Sequence, residues 1–358
     1  MSTFIIQGGK PLHGEITPQG AKNEALQVIC AVLLASSPVT IHNVPDIIDI
    51  QQLIALLRIL GVRITSPGRG TYHFDASRLH VESIDTKMLK EYATKLRGSI
   101  MILGPLLARF GKATIPRPGG DRIGRRRLDT HFMGMLKLGA TVSYNDKEDT
   151  YLVQAPKLKG NYILLDEASV TGTANLVMAA SLAQGTTILY NAACEPYIQQ
   201  LCKMLVQMGA KIEGIGSNLL TIHGVQELQG TTHTLLPDII EVGSFIGLAT
   251  ITMANLTIKN VCAHQLGPIA AGFRKLGIQL EIENDDIIMR PQEHYEIEKD
   301  LHGSLPTIAD AVWPGFPTDL ISIMLVVATQ AKGAVLMHQK MFESRLFFVD
   351  NLIEMGAQ

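Results

Sequence analysis

ALLRILGVRI (55–64), GMLKLGATVS (134–143), MLVQMGAKIE (204–213), AGFRKLGIQL (271–280) and NLIEMGAQ (351–358) are five renderings of one phrase. Each reads as the end of an amphipathic helix, then a glycine, then the start of a strand with alternating apolar residues. The glycine suits a helix C′ position, where the left-handed backbone that turns into the strand would strain any side chain. Four copies run on into their strands. The fifth stops at Gln358, so the strand that should follow it is expected to be absent.

Upstream of the phrase lies another helix, apolar almost all round: VICAVLLA (28–35), IMILGPLLA (100–108) and IMLVVATQA (323–331) are examples. Such helices belong in the middle of a core rather than on its face. Helix openings fall near 20, 95, 168, 240 and 316, a spacing of about 70–75 residues. Each copy therefore reads as helix, strand, helix and a strand pair, a βαβαββ-type unit that cannot bury its apolar face alone and must share a core with its neighbours. The fold class is α/β. Residues 3–20 read as a strand–turn–strand leader. LLPDIIEVG (235–243) introduces the fourth copy after a Thr/Gly-rich stretch, which puts copies one to three in one domain and the rest in another.

The 358 residues are 46% apolar and 18% charged, with a formal net charge of −2, enough for one large or two medium domains. Near-neutral charge argues against a general nucleic-acid binder. Cys30, Cys194, Cys202 and Cys262 fit no CxxC spacing, and Cys30 and Cys202 sit in helical apolar runs, so they read as buried free thiols in a reducing compartment. No secretory leader pattern and no run of 18 apolar residues occurs. Neither secretion nor membrane spanning is expected, and a cytoplasmic location is.

The strongest chemical signal is PRPGGDRIGRRRLDTH (116–131), with Arg117, Arg122, Arg125, Arg126 and Arg127, two aspartates (Asp121 and Asp129) and three glycines. Glycines give mobility and guanidinium groups give bidentate donors for phosphate or carboxylate, so the stretch reads as a loop closing over an anionic substrate or as a plain charged loop. No aromatic interleaving supports nucleic-acid binding. Lys22 and Asn23 open the first helix, where free N–H groups already favour an anion. Asp319, in WPGFPTDL, reads as a capping residue or as a base reaching a hydroxyl. Arg345, placed at the start of the last helix, and Arg97 read as anion binders or surface arginines. Ser169, Val170 and Thr171 open a hydroxyl- and Gly-rich turn that suits a phosphate nest or a helix cap. His264 lies two residues from Cys262 with no further partner at metal-ligand spacing.

GGKPLHGEITPQGAKNEAL (8–26), LRGSIMILGPLLARFG (96–111), PGGDRIGRRRLDTH (118–131), LPDIIEVGSF (236–245), FPTDL (316–320) and FESR (342–345) together resemble the UDP-N-acetylglucosamine 1-carboxyvinyltransferase family of enolpyruvyl transferases. The resemblance runs over essentially the whole chain. It implies a two-domain, inside-out α/β barrel, helices central and sheets outside, built from six copies of the unit. The first domain would be residues 20–234 with the mobile Arg/Gly loop 116–131, and the second 1–19 and 235–358, incomplete at its C-terminus. The substrates implied are phosphoenolpyruvate and UDP-N-acetylglucosamine, bound between the domains, with no metal or organic cofactor and no nucleic-acid or membrane partner.

By resemblance, Lys22, Arg126 and Arg345 gather phosphoenolpyruvate, and Arg97 assists on its phosphate. Asn23 and Asp319 engage the sugar nucleotide, with Asp319 at the hydroxyl to be deprotonated, and Ser169, Val170 and Thr171 match a diphosphate-binding turn. Asp121 stands where most members carry the cysteine tied to general-acid chemistry and product release, which implies insensitivity to the thiol-alkylating drug fosfomycin. A sixth copy, with two further active-site arginines, is not in this sequence. The remainder is expected to be about 75–80 residues by the repeat spacing. Without it, an exposed apolar surface in the second domain and little or no activity are expected. The competing readings are a 3-phosphoshikimate 1-carboxyvinyltransferase, against which the KNEA opening and long PGG loop speak, and a non-catalytic UDP-sugar-binding remnant. Oligomeric state is not set by the sequence.

Overall fold

All five phrase glycines take the left-handed conformation that the sequence demands, with φ of 94° at Gly61, 91° at Gly139, 110° at Gly209, 79° at Gly277 and 98° at Gly356. These values come from a computed structural model that describes residues 3, 5–79, 86–119, 127–299, 301–342 and 345–357. Asp121 and Arg126 lie outside the described residues.

The chain opens with β1 (His13–Ile16). Copy one follows as α1 (Lys22–Ala31), β2 (Val39–His42), α2 (Ile48–Ile59), β3 (Arg63–Gly68) and β4 (Thr71–Asp75). A helix that the sequence reading did not anticipate, α3 (Thr86–Ala93), leads to copy two. Copy two is a 3-10 stretch (Arg97–Ile102) running into α4 (Leu103–Phe110), then β5 (Lys112–Pro116), α5 (Asp129–Lys137), β6 (Thr141–Asn145) and β7 (Thr150–Gln154). After β8 (Tyr162–Leu164), copy three is α6 (Val170–Ala180), β9 (Thr186–Tyr190), α7 (Pro196–Gln207), β10 (Lys211–Glu213) and β11 (Leu219–His223). After β12 (Thr232–Thr234), copy four is α8 (Ile239–Ile251), β13 (Asn255–Ile258), α9 (Gly267–Lys275), β14 (Glu281–Glu283) and β15 (Asp286–Met289). β16 (Thr307–Ala309) precedes copy five: α10 (Ile321–Ala328), β17 (Leu336–His338) and α11 (Val349–Glu354).

The sheets repeat one plan. In the orders β12-β2-β4-β3, β8-β9-β11-β10 and β1-β13-β15-β14, an antiparallel trio from one copy gains a short parallel strand at its edge. The trio β5-β7-β6 and the parallel pair β16-β17 follow the same scheme in part. The parallel strands are three or four residues long, too short to register as strands by pattern. The leader differs from its expected strand–turn–strand form: β1 is its one strand among the described residues, and Ile5 and Ile6 are exposed.

Two compact units result, one running from Gly20 to Leu236 and the other formed by residues up to Gln19 together with those from Pro237 onward. Each has its own apolar core. In the Gly20–Leu236 unit, α1 and α6 meet at the centre, α4 packs on α6, and α2, α5 and α7 flank them. Their all-round apolar sequences explain the placement: Ala25 and Val28–Ala31 of α1 and Ala174–Ala180 of α6 are buried on every side. In the other unit α8 packs against α10, and α11 has no buried residue, with Phe347 and Met355 78% and 83% exposed.

Close approach of α4 to α6 depends on Gly104. A Cβ there would lie 2.3 Å from the Asn175 carbonyl oxygen and 2.6 Å from its Oδ1. Backbone cannot yield as a side chain tip does, so Gly104→Ala should force the helices apart. A loss of about 2–3 kcal/mol is expected, read as a lower urea midpoint; an unchanged midpoint would show that the contact relaxes freely.

Candidate active site

Lys22 is the first residue of α1, and its Nζ lies 2.5 Å from Oδ2 of Asp49 in the first turn of α2. Asn23 is half-buried beside it. The next residue, Glu24, is completely buried. Its Oε1 is 2.8 Å from His233 Nε2, and its Oε2 accepts the Leu236 N–H at 3.1 Å. Burial pushes the Glu24 carboxyl up from its ordinary range, while His233 and the Leu236 amide pull it back. The Ala21 N–H donates to the Leu236 carbonyl at 2.8 Å. The KNEA opening is thus tied to the segment where the chain leaves this unit. Sequence reading missed Asp49, Glu24 and His233; a carboxylate in the first turn of a helix that continues into an apolar run was the available signal for Glu24.

A second group forms where α5 and α6 begin. Arg97 opens its 3-10 stretch and donates from Nη2 to the Arg127 carbonyl at 3.1 Å. Arg127 Nε is 2.5 Å from Asp129 Oδ2, and its Nη1 is 3.9 Å from Asp166. Ser169 caps α6, its Oγ accepting the Gly172 N–H at 3.3 Å, and Val170 is the first helical residue. Thr171 Oγ1 is 3.1 Å from Nε2 of His131, a residue 1% exposed. The helix-cap role and the proposed phosphate nest occupy the same turn, and nothing in the cap geometry opposes the nest.

Burial, with the Arg97 charge adding to it, lowers the His131 pKa to about 3. The folded chain therefore refuses a proton that the unfolded chain accepts below about pH 6.5. The sign follows: His131 contributes full stability above that pH and loses it progressively as pH falls toward 3. At pH 5 the loss is about 2 kcal/mol. Urea midpoints measured from pH 7 to 5 should fall for the natural chain and fall less for His131→Gln; parallel profiles would refute a neutral, buried ring.

In the other unit, Asp319 lies in a 3-10 turn (Thr318–Leu320) that runs into α10, with Pro317 at the N-cap position. Arg345 Nη2 is 2.5 Å from Asp319 Oδ1, and the guanidinium carbon lies 5.7 Å from the Phe342 ring centre. Arg345 is not at a helix start, as the sequence reading had it: α11 begins at Val349, so the helix-dipole reason for an anion there falls away. A better reason replaces it. Arg345 Nε and Thr318 Oγ1 are buried without a hydrogen-bond partner among the described residues. A buried donor left unmade costs about 1–3 kcal/mol, which an incoming acceptor would recover. Among the described residues no group of three or more His, Cys, Asp or Glu is placed to hold a metal ion.

This fold is that of a known class. The sequence profile of the EPSP synthase (3-phosphoshikimate 1-carboxyvinyltransferase) family matches residues 6–358. The enolpyruvyl transferase NikO of Streptomyces tendae superposes with a TM-score of 0.84 at 23% identity, over 97% of this chain and 80% of that one. EPSP synthase of Acinetobacter baumannii superposes at 0.67 with 19% identity, over 93% and 75%. Both are likenesses of fold. The chain belongs to the EPSP synthase family of enolpyruvyl transferases.

Within it, the chain is 60% identical to the UDP-N-acetylglucosamine 1-carboxyvinyltransferase of Bacteroides thetaiotaomicron, over all of this chain and 82% of that protein. It is 58% identical to the enzyme of that name from Porphyromonas gingivalis over the same shares. The resemblance read from the sequence motifs therefore holds along the full chain.

Proposed function

We propose that this chain transfers the enolpyruvyl group of phosphoenolpyruvate to the 3′-hydroxyl of UDP-N-acetylglucosamine and releases phosphate. That is the first committed step of peptidoglycan precursor synthesis, and so of cell wall biogenesis, cell shape and division. High identity to carboxyvinyltransferases of that name supports it. The structural observation that carries it is the Asp319–Arg345 pair, a carboxylate held by a guanidinium whose buried Nε–H has no acceptor among the described residues.

In this reading Asp319 takes the proton of the sugar hydroxyl as its oxygen bonds to C2 of phosphoenolpyruvate, and a proton adds to C3 to give a tetrahedral ketal. Loss of a C3 proton and departure of phosphate then restore the enol ether. Lys22, Arg126 and Arg345 neutralise phosphoenolpyruvate, Arg97 assists at its phosphate, and Asp121 serves as general acid. Lys22 is already paired with Asp49, so binding exchanges one anion for another rather than exposing a bare charge. Asn23 engages the sugar, and Ser169, Val170 and Thr171 the diphosphate.

A cytoplasmic location belongs to this reading. It is supported by the four free cysteines. No helix among the described residues is long and apolar enough to cross a membrane.

Phosphate release from phosphoenolpyruvate tests the proposal with two acceptors. Whatever its rate, release is expected to depend on UDP-N-acetylglucosamine and not on shikimate 3-phosphate. The reverse would assign the chain to the other acceptor class, and binding of the UDP-sugar without release would make it a non-catalytic binder.

A further inference from the structure

We propose that His131 is a positioning residue: its Nε2–H holds Thr171 Oγ1 as an acceptor and so directs the Thr171 hydroxyl proton to a phosphate oxygen of a bound nucleoside diphosphate. The inference rests on the reading of Ser169–Thr171 as the diphosphate turn. It assigns a residue and a hydrogen-bond polarity that this reading does not contain.

The polarity is set from the core outward. Asn175 is fully buried in α6. Its Oδ1 accepts the Gly104 N–H at 2.6 Å, and its Nδ2 donates to the Ile100 carbonyl at 2.9 Å. Those two bonds fix which end of the amide is which. The same Nδ2 faces His131 Nδ1 at 3.0 Å. An amide nitrogen can only donate, so Nδ1 must be the unprotonated, accepting nitrogen. A neutral ring then carries its proton on Nε2, the atom 3.1 Å from Thr171 Oγ1. An imidazolium would set a second N–H against the Asn175 amide, and burial together with the Arg97 charge opposes it further.

Thr171 therefore receives a hydrogen bond from the core side, and its own proton must be given elsewhere. No other described residue accepts it. Thr171 is half-exposed in the first turn of α6, where unpaired backbone N–H groups and the helix dipole already favour negative charge. A hydroxyl that can only donate outward is matched by an acceptor-only ligand, which a phosphate oxygen is. The chain Gly104–Asn175–His131–Thr171 thus converts the packing of α4 on α6 into the orientation of one hydroxyl.

The test uses the whole chain, with calorimetric titration of UDP and of uridine as a phosphate-free control. Thr171→Val should weaken UDP binding about 10- to 100-fold and leave uridine unchanged. His131→Phe should give the same selective loss, and the double variant no further loss. His131→Gln should recover most of the affinity, because its Oε1 can accept from Asn175 while its Nε2 donates to Thr171. Nitrogen-15 spectra of the histidine-labelled natural chain should show His131 protonated at Nε2 and bare at Nδ1, a readout independent of whether any variant folds. An Nδ1–H tautomer, a folded His131→Phe chain that binds UDP normally, or a loss shared equally by uridine would overturn the inference while leaving the diphosphate turn intact. Failure of the natural chain to bind UDP at all would bring down that turn and this inference with it.

Discussion

Replacing Asp319 by Asn is expected to slow enolpyruvyl transfer about a thousandfold while leaving KM for both substrates within about tenfold. The substitution keeps size and shape. Asn Oδ1 can still accept from Arg345 Nη2, so the 2.5 Å contact is weakened rather than abolished and the turn at Thr318–Leu320 should persist. What disappears is a basic oxygen to receive the hydroxyl proton. That capacity is used only as the new C–O bond forms, so kcat and kcat/KM should fall together. Melting temperature serves as the control for folding. Turnover within tenfold of the natural chain would mean that Asp319 orients the sugar and that the base lies elsewhere.

Fosfomycin is expected to leave the chain untouched, with no gain in intact mass and no loss of phosphate release, whereas Asp121→Cys should acquire a single adduct and lose turnover. Epoxide opening of this kind requires a thiolate, and position 121 offers a carboxyl. Three of the chain's own cysteines are poor substitutes for it. Burial pushes the Cys30 thiol far up and the Cys202 thiol up to about 12, and burial with the neighbouring Glu195 raises Cys194. As a general acid, a carboxyl starts from a pKa of about 3.9 against about 8.5 for a thiol, so it must be raised in the closed complex to donate near neutrality. Asp121→Asn should therefore remove activity that Asp121→Cys retains before the drug is added. A covalent adduct on residues 116–131 of the natural chain, with loss of turnover, would refute this.

Much of the fold was legible because the repeat phrase couples two local requirements, a helix face and a left-handed turn, that short-range sequence encodes fully. The central helices were legible for the same reason: α1, α4, α6 and α10 show no polar side to present to water. The short strands β8, β12 and β16 were not, since three residues carry no period and are defined by the strands they join. The helix α3, with only eight residues, lies between copies and outside the repeat that guided the reading. Of the site, residues at helix starts could be named from local pattern, as Ser169 and Asp319 were. The partners that give them chemistry lie far off in sequence: Asp49 for Lys22, His131 for Thr171, Arg345 for Asp319, His233 for Glu24. No local pattern announces a hydrogen bond across 209 positions, as between Glu24 and His233.

The edge strands carry one more consequence. β1, which precedes copy one, pairs with β13 of copy four, and β12, which precedes copy four, pairs with β2 of copy one. The two leaders are exchanged. During synthesis β1 emerges first, yet its partner at Asn255 follows about 240 residues later. At typical ribosomal speeds that is a wait of roughly 10–50 s. Throughout that interval the Gly20–Leu236 segment can complete itself, because β12 arrives within it, while β1 waits for its partner strand. Separating the gene at residue 236 would therefore yield one fragment able to close its sheets and another deprived of an edge.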